Sequence, residues 1–272
     1  MPLALKARIL EATRRRRNNE IIVKQGAGVR SERAAYFRSL VEFINVFTED
    51  VMDSLPEMLK STEPEYIVDN YAEMINRTIR ALAQRYRDVG NQASAIASEM
   101  ANGVNVRNRN MFHKAMERAV GVNIQGAISE PGVDAIVQSK IAENVGLIQS
   151  IPDEYFKKLV TIVNEGTTRG ESAGGITKEI LKLKKTTVNR AKLIARDQTQ
   201  KTNSAITQAR QQNLGIQEYR WRTVGDESVR HTHAAHNGKI FRWDKPPKDT
   251  GHPGEDINCR CVAEPVIKLD DL

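Results

Sequence analysis

Residues 36–60 read YFRSLVEFINVFTEDVMDSLPEMLK. Phe37, Leu40, Val41, Ile44, Phe47, Val51, Leu55 and Leu59 recur at steps of three and four, which lines one face of an α-helix with apolar side chains. Pro56 falls near the end of that run. Ser61 or Thr62 then offers a cap, and Pro64 a first-turn residue, for a second helix. The stripe of that helix is Ile67, Val68, Tyr71, Ile75, Ile79, Leu82, Tyr86 and Val89, and Gly90 reads as its stop. Two such stripes bury each other most simply as a long αα-hairpin.

Toward the N-terminus the chain turns polar and is interrupted by Gly26-Ala27-Gly28. Residues 1–38 hold ten Lys/Arg against three Glu, the whole of the formal net charge of +7. The density peaks at Arg14, Arg15, Arg16 and Arg17. Residues 1–35 are therefore expected to form a basic arm that orders on a phosphate-bearing, carboxylate-bearing or acidic protein surface. The plainer alternative is a solvated helix end.

Toward the C-terminus, Asn102 to Asn110 reads as a loop and Met111 to Val120 as a short helix with His113 alone on it. Glu130-Pro131-Gly132 is a turn and closes a helical region over 36–130. Helical patterning resumes at Val133, and Ser150-Ile151-Pro152 is expected to break it, with Pro152 opening the next helix. Ile176 to Leu183 reads as a short helix, and Thr186 or Thr187 as the cap of a longer one closed by Gly215. The period then falls toward two. Ile216, Tyr219, Trp221 and Val224 suggest a strand, Asn237-Gly238 before Lys239-Ile240-Phe241 a hairpin, and Arg260 to Ala263 a third strand. The expected fold is mainly α with a small, turn-rich α+β module near the C-terminus. Residues 131–266 would form that domain, and 267–272 a tail.

Composition sets the outer bounds. Aromatic residues are 5% and charged residues 28%, so the core must be largely aliphatic. No run of eighteen apolar residues occurs, and charge soon follows Met1-Pro2-Leu3-Ala4-Leu5, which leads to the expectation of a soluble, cytosolically made protein without a membrane partner. Both cysteines stand in Asn258-Cys259-Arg260-Cys261, too close together for a disulfide framework.

Four of the five histidines, His231, His233, His236 and His252, shortly precede those cysteines. Cys259 and Cys261 as thiolates, with two of His233, His236 and His252 (His233 and His252 foremost), would complete a zinc tetrahedron. The alternative is a pair of buried thiols and histidines bonded to loop backbone. Asp226 and Arg230, four apart, are expected to tie the turn before them by charge-assisted hydrogen bonds. A competing reading gathers His231, His233, His236, Asn237, Asp244 and Asp249 around a divalent ion, as in a metal-dependent nuclease acting on DNA. No catalytic triad order, phosphate loop or dinucleotide fingerprint is present, and the non-enzymatic reading is preferred.

The segments Glu143 to Pro152, Arg190 to Thr199 with Asn203, Tyr219-Arg220-Trp221, Asp226 to Arg230 with His233, Asn237 and Gly238, His252-Pro253, and Asn258 to Cys261 before Pro265 follow one another in order. This set, across residues 141–266, resembles the phage head morphogenesis proteins of the Mu F-like type, minor capsid proteins of tailed bacteriophages. Asp197-Gln198 stands where that family typically has Thr-Glu. The resemblance implies a structural motif that includes Asp226, Arg230, Asn237, Gly238, Asn258 and Arg260. It also implies a virion component inside the capsid near the portal vertex, acting in head assembly or in DNA packaging or ejection. Its implied partners are the portal protein, the major capsid protein or scaffold, and double-stranded DNA. The arginine run fits the last independently, because phosphate contacts read charge and not sequence.

Overall fold

The computed structural model describes residues 1–15, 18–26, 28–60, 68–124 and 130–272, with no side chains for 68–72. Arg16, Arg17, the Ser61 or Thr62 cap with Pro64 and Ile67, and the side chains of Val68 and Tyr71 lie outside the described residues. The chain runs α1 (Leu3–Thr13), β1 (Glu20–Ile22), α2 (Arg30–Lys60), α3 (Val68–Arg85), α4 (Gly90–Val120), α5 (Val133–Thr168), α6 (Ala173–Asn213), β2 (Glu218–Arg222), α7 (His231–His236), β3 (Ile240–Arg242) and β4 (Val262–Lys268). It is mainly α with a small antiparallel sheet near the C-terminus, as the patterning predicts. No helix among the described residues is long and apolar enough to cross a membrane.

Helix α2 buries Leu40, Ile44, Phe47, Val51, Leu55 and Leu59, the stripe read from the sequence. Its buried face also takes in Tyr36 and Phe43, while Phe37 and Val41 are only half-buried. Ile75, Ile79 and Leu82 are buried along α3. Gly90 opens α4 instead of stopping α3, which ends at Arg85.

Three expected breaks are continuous helix, each for a physical reason. Pro152 lies inside α5. An interior proline costs about 3 kcal/mol. Ile148, Ile151, Tyr155 and Phe156 are buried on both sides of it, and each such side chain contributes about 1.5–3 kcal/mol. Thr186 and Thr187 do not cap a new helix; their hydroxyls donate back to Lys182 and Leu183 carbonyls at 3.0 and 2.9 Å, and α6 runs through. The Asn102 to Asn110 stretch is the middle of α4. Its Asn105 and Asn108 are buried in a polar network with Arg210 and so need no loop.

The described chain divides into two compact units that do not follow chain order. One holds Met1–Arg33, Glu99–Lys140 and Arg196–Leu272, the other Ala34–Ser98 and Ile141–Ala195. In the second, Phe47 packs against Phe43, Tyr86, Tyr155 and Phe156 with ring centroids 5.1–5.9 Å away. The first unit contains the sheet, in the order β1-β4-β2-β3 with every pair antiparallel. The segment expected to be a free arm is built into this unit. Leu5 and Ile9 of α1 are buried, and β1 adds an edge strand in the register Glu20↔Lys268 and Ile22↔Val266. The alternation of Ile21 and Val23, both buried, is what that short strand needed.

Candidate metal centre

Strand β2 alternates, so Tyr219 and Trp221 face inward and are fully buried. On the intervening positions Arg220 and Arg222 clasp the buried carboxylate of Glu264 at 2.5 and 2.6 Å. Tyr219, Trp221, Trp243, Cys259, Cys261 and Ala263 form one core, with Phe241 packed on it. The short helix α7, which the sequence patterning did not suggest, sets His233 and His236 three residues apart on one face. Both rings lie on Trp221, at centroid distances of 5.4 and 5.2 Å.

His233 Nδ1 is 3.5 Å from Cys259 Sγ and 3.4 Å from Cys261 Sγ, and its Nε2 is 2.8 Å from an Asp256 carboxylate oxygen. His233, Cys259 and Cys261 are 3%, 4% and 3% exposed. Among the described residues this is the one group of three or more His, Cys, Asp or Glu side chains whose ligand atoms converge within 4.8 Å. The backbone N–H groups of Gly254 and Cys261 donate to Cys259 Sγ at 3.3 and 3.4 Å. The Cys259 thiol is pulled down to about 6, first by the hydrogen bond from the Cys261 thiol and then by those two N–H donors. Cys261 is raised by the same thiol–thiol bond and by burial, since it keeps the shared proton. The site thus has one sulfur poised as a thiolate.

The loop that presents the cysteines is fixed by α6. Asn258 has a left-handed backbone with φ 58°, and its N–H donates to Asp197 at 2.8 Å. Asp197 also pairs with Lys201 at 2.9 Å. The residue that departs from the Mu F-like pattern therefore carries a structural task. Ser204 donates to the Pro253 carbonyl, and Gly254, at φ 92°, comes so close that a Cβ there would lie 2.7 Å from Ser204 Cβ. Gln200 and Gln211 reach the Cys261 and Ala263 carbonyls at 3.5 and 2.9 Å. Sequence reasoning missed Asp256, Asp197 and Gly254 as site residues. The one signal was the crowding of Asp, Gly and Pro just before the cysteines.

Other expected partners are exchanged. His252 does not join the cysteines; its Nδ1 is 2.9 Å from the Tyr219 hydroxyl, its ring sits on Trp243, and burial lowers its pKa. His236 pairs with Asp249 at 3.0 Å, Asp244 with Arg242 at 2.8 Å, and His231 is exposed, so the set expected for a nuclease ion is dispersed over separate pairs. Asp226 does not bind Arg230. It pairs with Arg260 at 2.6 Å and accepts from Ser228, and the Arg260 bond foremost, then Ser228, holds its carboxyl down at about 2. Arg230, extended at the N-terminal cap of α7, donates instead to the Ile257 carbonyl at 2.8 Å. Asn237 accepts from the Thr223 N–H at 2.9 Å, and Gly238, at φ 83°, donates to the Trp221 carbonyl at 2.8 Å. Asp226, Arg230, Asn258 and Arg260 thus all brace the two loops that flank the cysteine pair.

Residues 157–264 match the family described as Phage Mu protein F like protein. An uncharacterized protein of Haemophilus influenzae strain Rd is 32% identical over 238 residues, covering 85% of this chain and 52% of its own length. The chain therefore spans about half the length of that curated relative. No solved structure matches. The helix α6, the strand β2, the Asp226 to Gly238 turn and the Cys259/Cys261 loop all lie inside the matched segment, so the C-terminal region of this chain is similar to the Mu F-like phage head morphogenesis family.

Proposed function

We propose that this chain is a non-enzymatic head component of a tailed bacteriophage that docks at the portal vertex and touches packaged DNA. The observation that carries the reading is the family match over residues 157–264. Two features of the structure support its finer parts. Arg14 and Arg15 are exposed at the C-terminal end of α1, where they balance the helix dipole and still offer charge to phosphate. The acids that a nuclease would need for a divalent ion are held by Arg242 and His236. The portal protein, with the major capsid protein or scaffold beside it, and non-specific double-stranded DNA are the partners of this reading, and the virion interior is its place.

Isolated portal rings should retain the purified full chain on size exclusion, and supercoiled DNA should stay intact with the chain in magnesium, manganese or zinc. Cleavage abolished by His233→Ala or His236→Ala, without portal retention, would put a metal-dependent nuclease first.

A further inference from the structure

We propose that Cys259 Sγ, Cys261 Sγ and His233 Nδ1 bind one zinc ion, with Asp256 orienting the histidine and the fourth coordination position taken by solvent. The distances carry the first step. Zinc–sulfur and zinc–nitrogen bonds of about 2.3 and 2.0–2.1 Å at a tetrahedral angle place nitrogen and sulfur about 3.5 Å apart. The chain sets them 3.5 and 3.4 Å apart.

The protons carry the second. An ionised carboxylate only accepts, so Asp256 assigns the proton to His233 Nε2 and leaves a single lone pair on Nδ1. Both sulfurs converge on that one lone pair, and the one proton that Cys261 keeps cannot bond Cys259 Sγ and the nitrogen at once. A cation at the centre uses both sulfurs and the nitrogen at once. The carboxylate behind the ring is the arrangement that fixes a ligating histidine in its tautomer. The two backbone N–H groups on Cys259 Sγ are the donors a metal-bound thiolate accepts.

The ligand set differs from the one the sequence suggested, because Tyr219 and Trp243 hold His252 elsewhere. No fourth His, Cys, Asp or Glu atom among the described residues joins the group. Asp256 is spent on the far nitrogen. A small solvent ligand therefore fills the tetrahedron inside a site only 3–4% exposed. Bound there, zinc ties α7 to the 252–262 loop and to the β2 core, whether or not the chain meets a portal.

Full-length protein, purified under reducing conditions without chelator, should carry one zinc per chain by elemental analysis. Cys259→Ser, Cys261→Ser and His233→Ala should each lower that content at least tenfold, and His252→Ala should leave it at one. Asp256→Asn should keep the ion but weaken it about 10- to 100-fold in a chelator competition. Should the ligand variants fail to fold, cobalt reconstitution of the unaltered chain reads the site directly, through thiolate-to-cobalt charge transfer and tetrahedral d–d bands. Absence of stoichiometric zinc and of those bands overturns the proposal. So does zinc that survives His233→Ala and is lost with His252→Ala, or a Cys259–Cys261 disulfide in the reduced preparation.

Discussion

Both units of this chain bury apolar side chains, but they differ in how many polar groups they bury with them. The unit of Ala34–Ser98 and Ile141–Ala195 buries aliphatic side chains around Phe47, and among its described residues few polar ones are buried: Thr48, Asn144 and Thr187. Among their partners is the Tyr36 hydroxyl, which donates to Asn144 at 2.9 Å. The other unit buries Asn105, Asn108, Gln200, Asn203, Arg210, Gln211, His233, His252 and Glu264. Apolar burial is non-directional and tolerates a shifted face. Buried polar groups must each find a partner. The first kind of core is specified by periodicity, the second by individual pairs.

The sharpest way to break that contrast is to remove the centre of the apolar core. Phe47 is fully buried with Phe43, Tyr86, Tyr155 and Phe156 around it. Phe47→Ala should destabilise by about 4 kcal/mol, the transfer term plus the cavity it leaves. Native-state hydrogen exchange should show the lost protection first in α2 and in the part of α5 that carries Tyr155. Protection lost equally early around Arg210 would mean that the two cores are one cooperative structure.

Arg210 tests the polar side. Its guanidinium is 1% exposed and donates to both Glu130 oxygens at 2.8 and 2.9 Å, to Asn108 Oδ1 at 2.5 Å and to Asn105 Oδ1 at 2.6 Å. Asn108 passes the network on to Asn203 and Thr207 at 2.9 and 2.7 Å. Arg210→Met keeps the volume and the apolar stem but leaves a carboxylate and two amide oxygens short of donors. Removing one partner of a buried pair costs about 3–5 kcal/mol, and the partial exposure of Glu130 with Arg109 beside it sets the expected loss near 3 kcal/mol. Urea melts would read it. A loss below about 1 kcal/mol would show that this network is no more than a solvated pair.

The same contrast explains what was legible in the sequence. Leu40, Ile44, Phe47 and Val51 announce their helix by spacing alone, and so do Tyr219 and Trp221 their strand. Asn105 and Asn108 looked like loop residues because their partner, Arg210, stands a hundred positions away in sequence. Thr187 looked like a cap because nothing local says whether its hydroxyl faces an open N–H or its own helix carbonyl. The cysteine pair was legible as a cluster, and His233 as its neighbour. That His252 stays apart from them was not, since Tyr219 and Trp243, distant in sequence from the cysteines, capture it. Likewise Asp226 and Arg230 have the spacing of a pair but sit in a turn and an extended cap, where spacing of four does not bring side chains together.

The smallest effect is a titration. His113 lies beside the Arg210 network, 3.9 Å from Glu130, and both its ring nitrogens are buried without a hydrogen-bond partner. Burial lowers its pKa first; Glu130 pulls it up, and Arg210 and Arg109 push it down again. The folded chain therefore takes up the His113 proton at lower pH than the unfolded chain. The neutral ring's contribution to stability is complete above the ordinary histidine value near 6.5 and is lost as pH falls from there through the depressed folded value. His252 titrates in the same direction, so the wild-type slope alone does not isolate His113. Urea midpoints at pH 7.5 and 5.5 for wild type and His113→Gln separate them. The wild type should lose more stability on acidification than the variant, by less than either substitution above, since one group titrates and Glu130 opposes the shift. Equal losses, or a steeper one in His113→Gln, would mean that Glu130 governs the ring and that even this unit's unpartnered histidine is held by a pair.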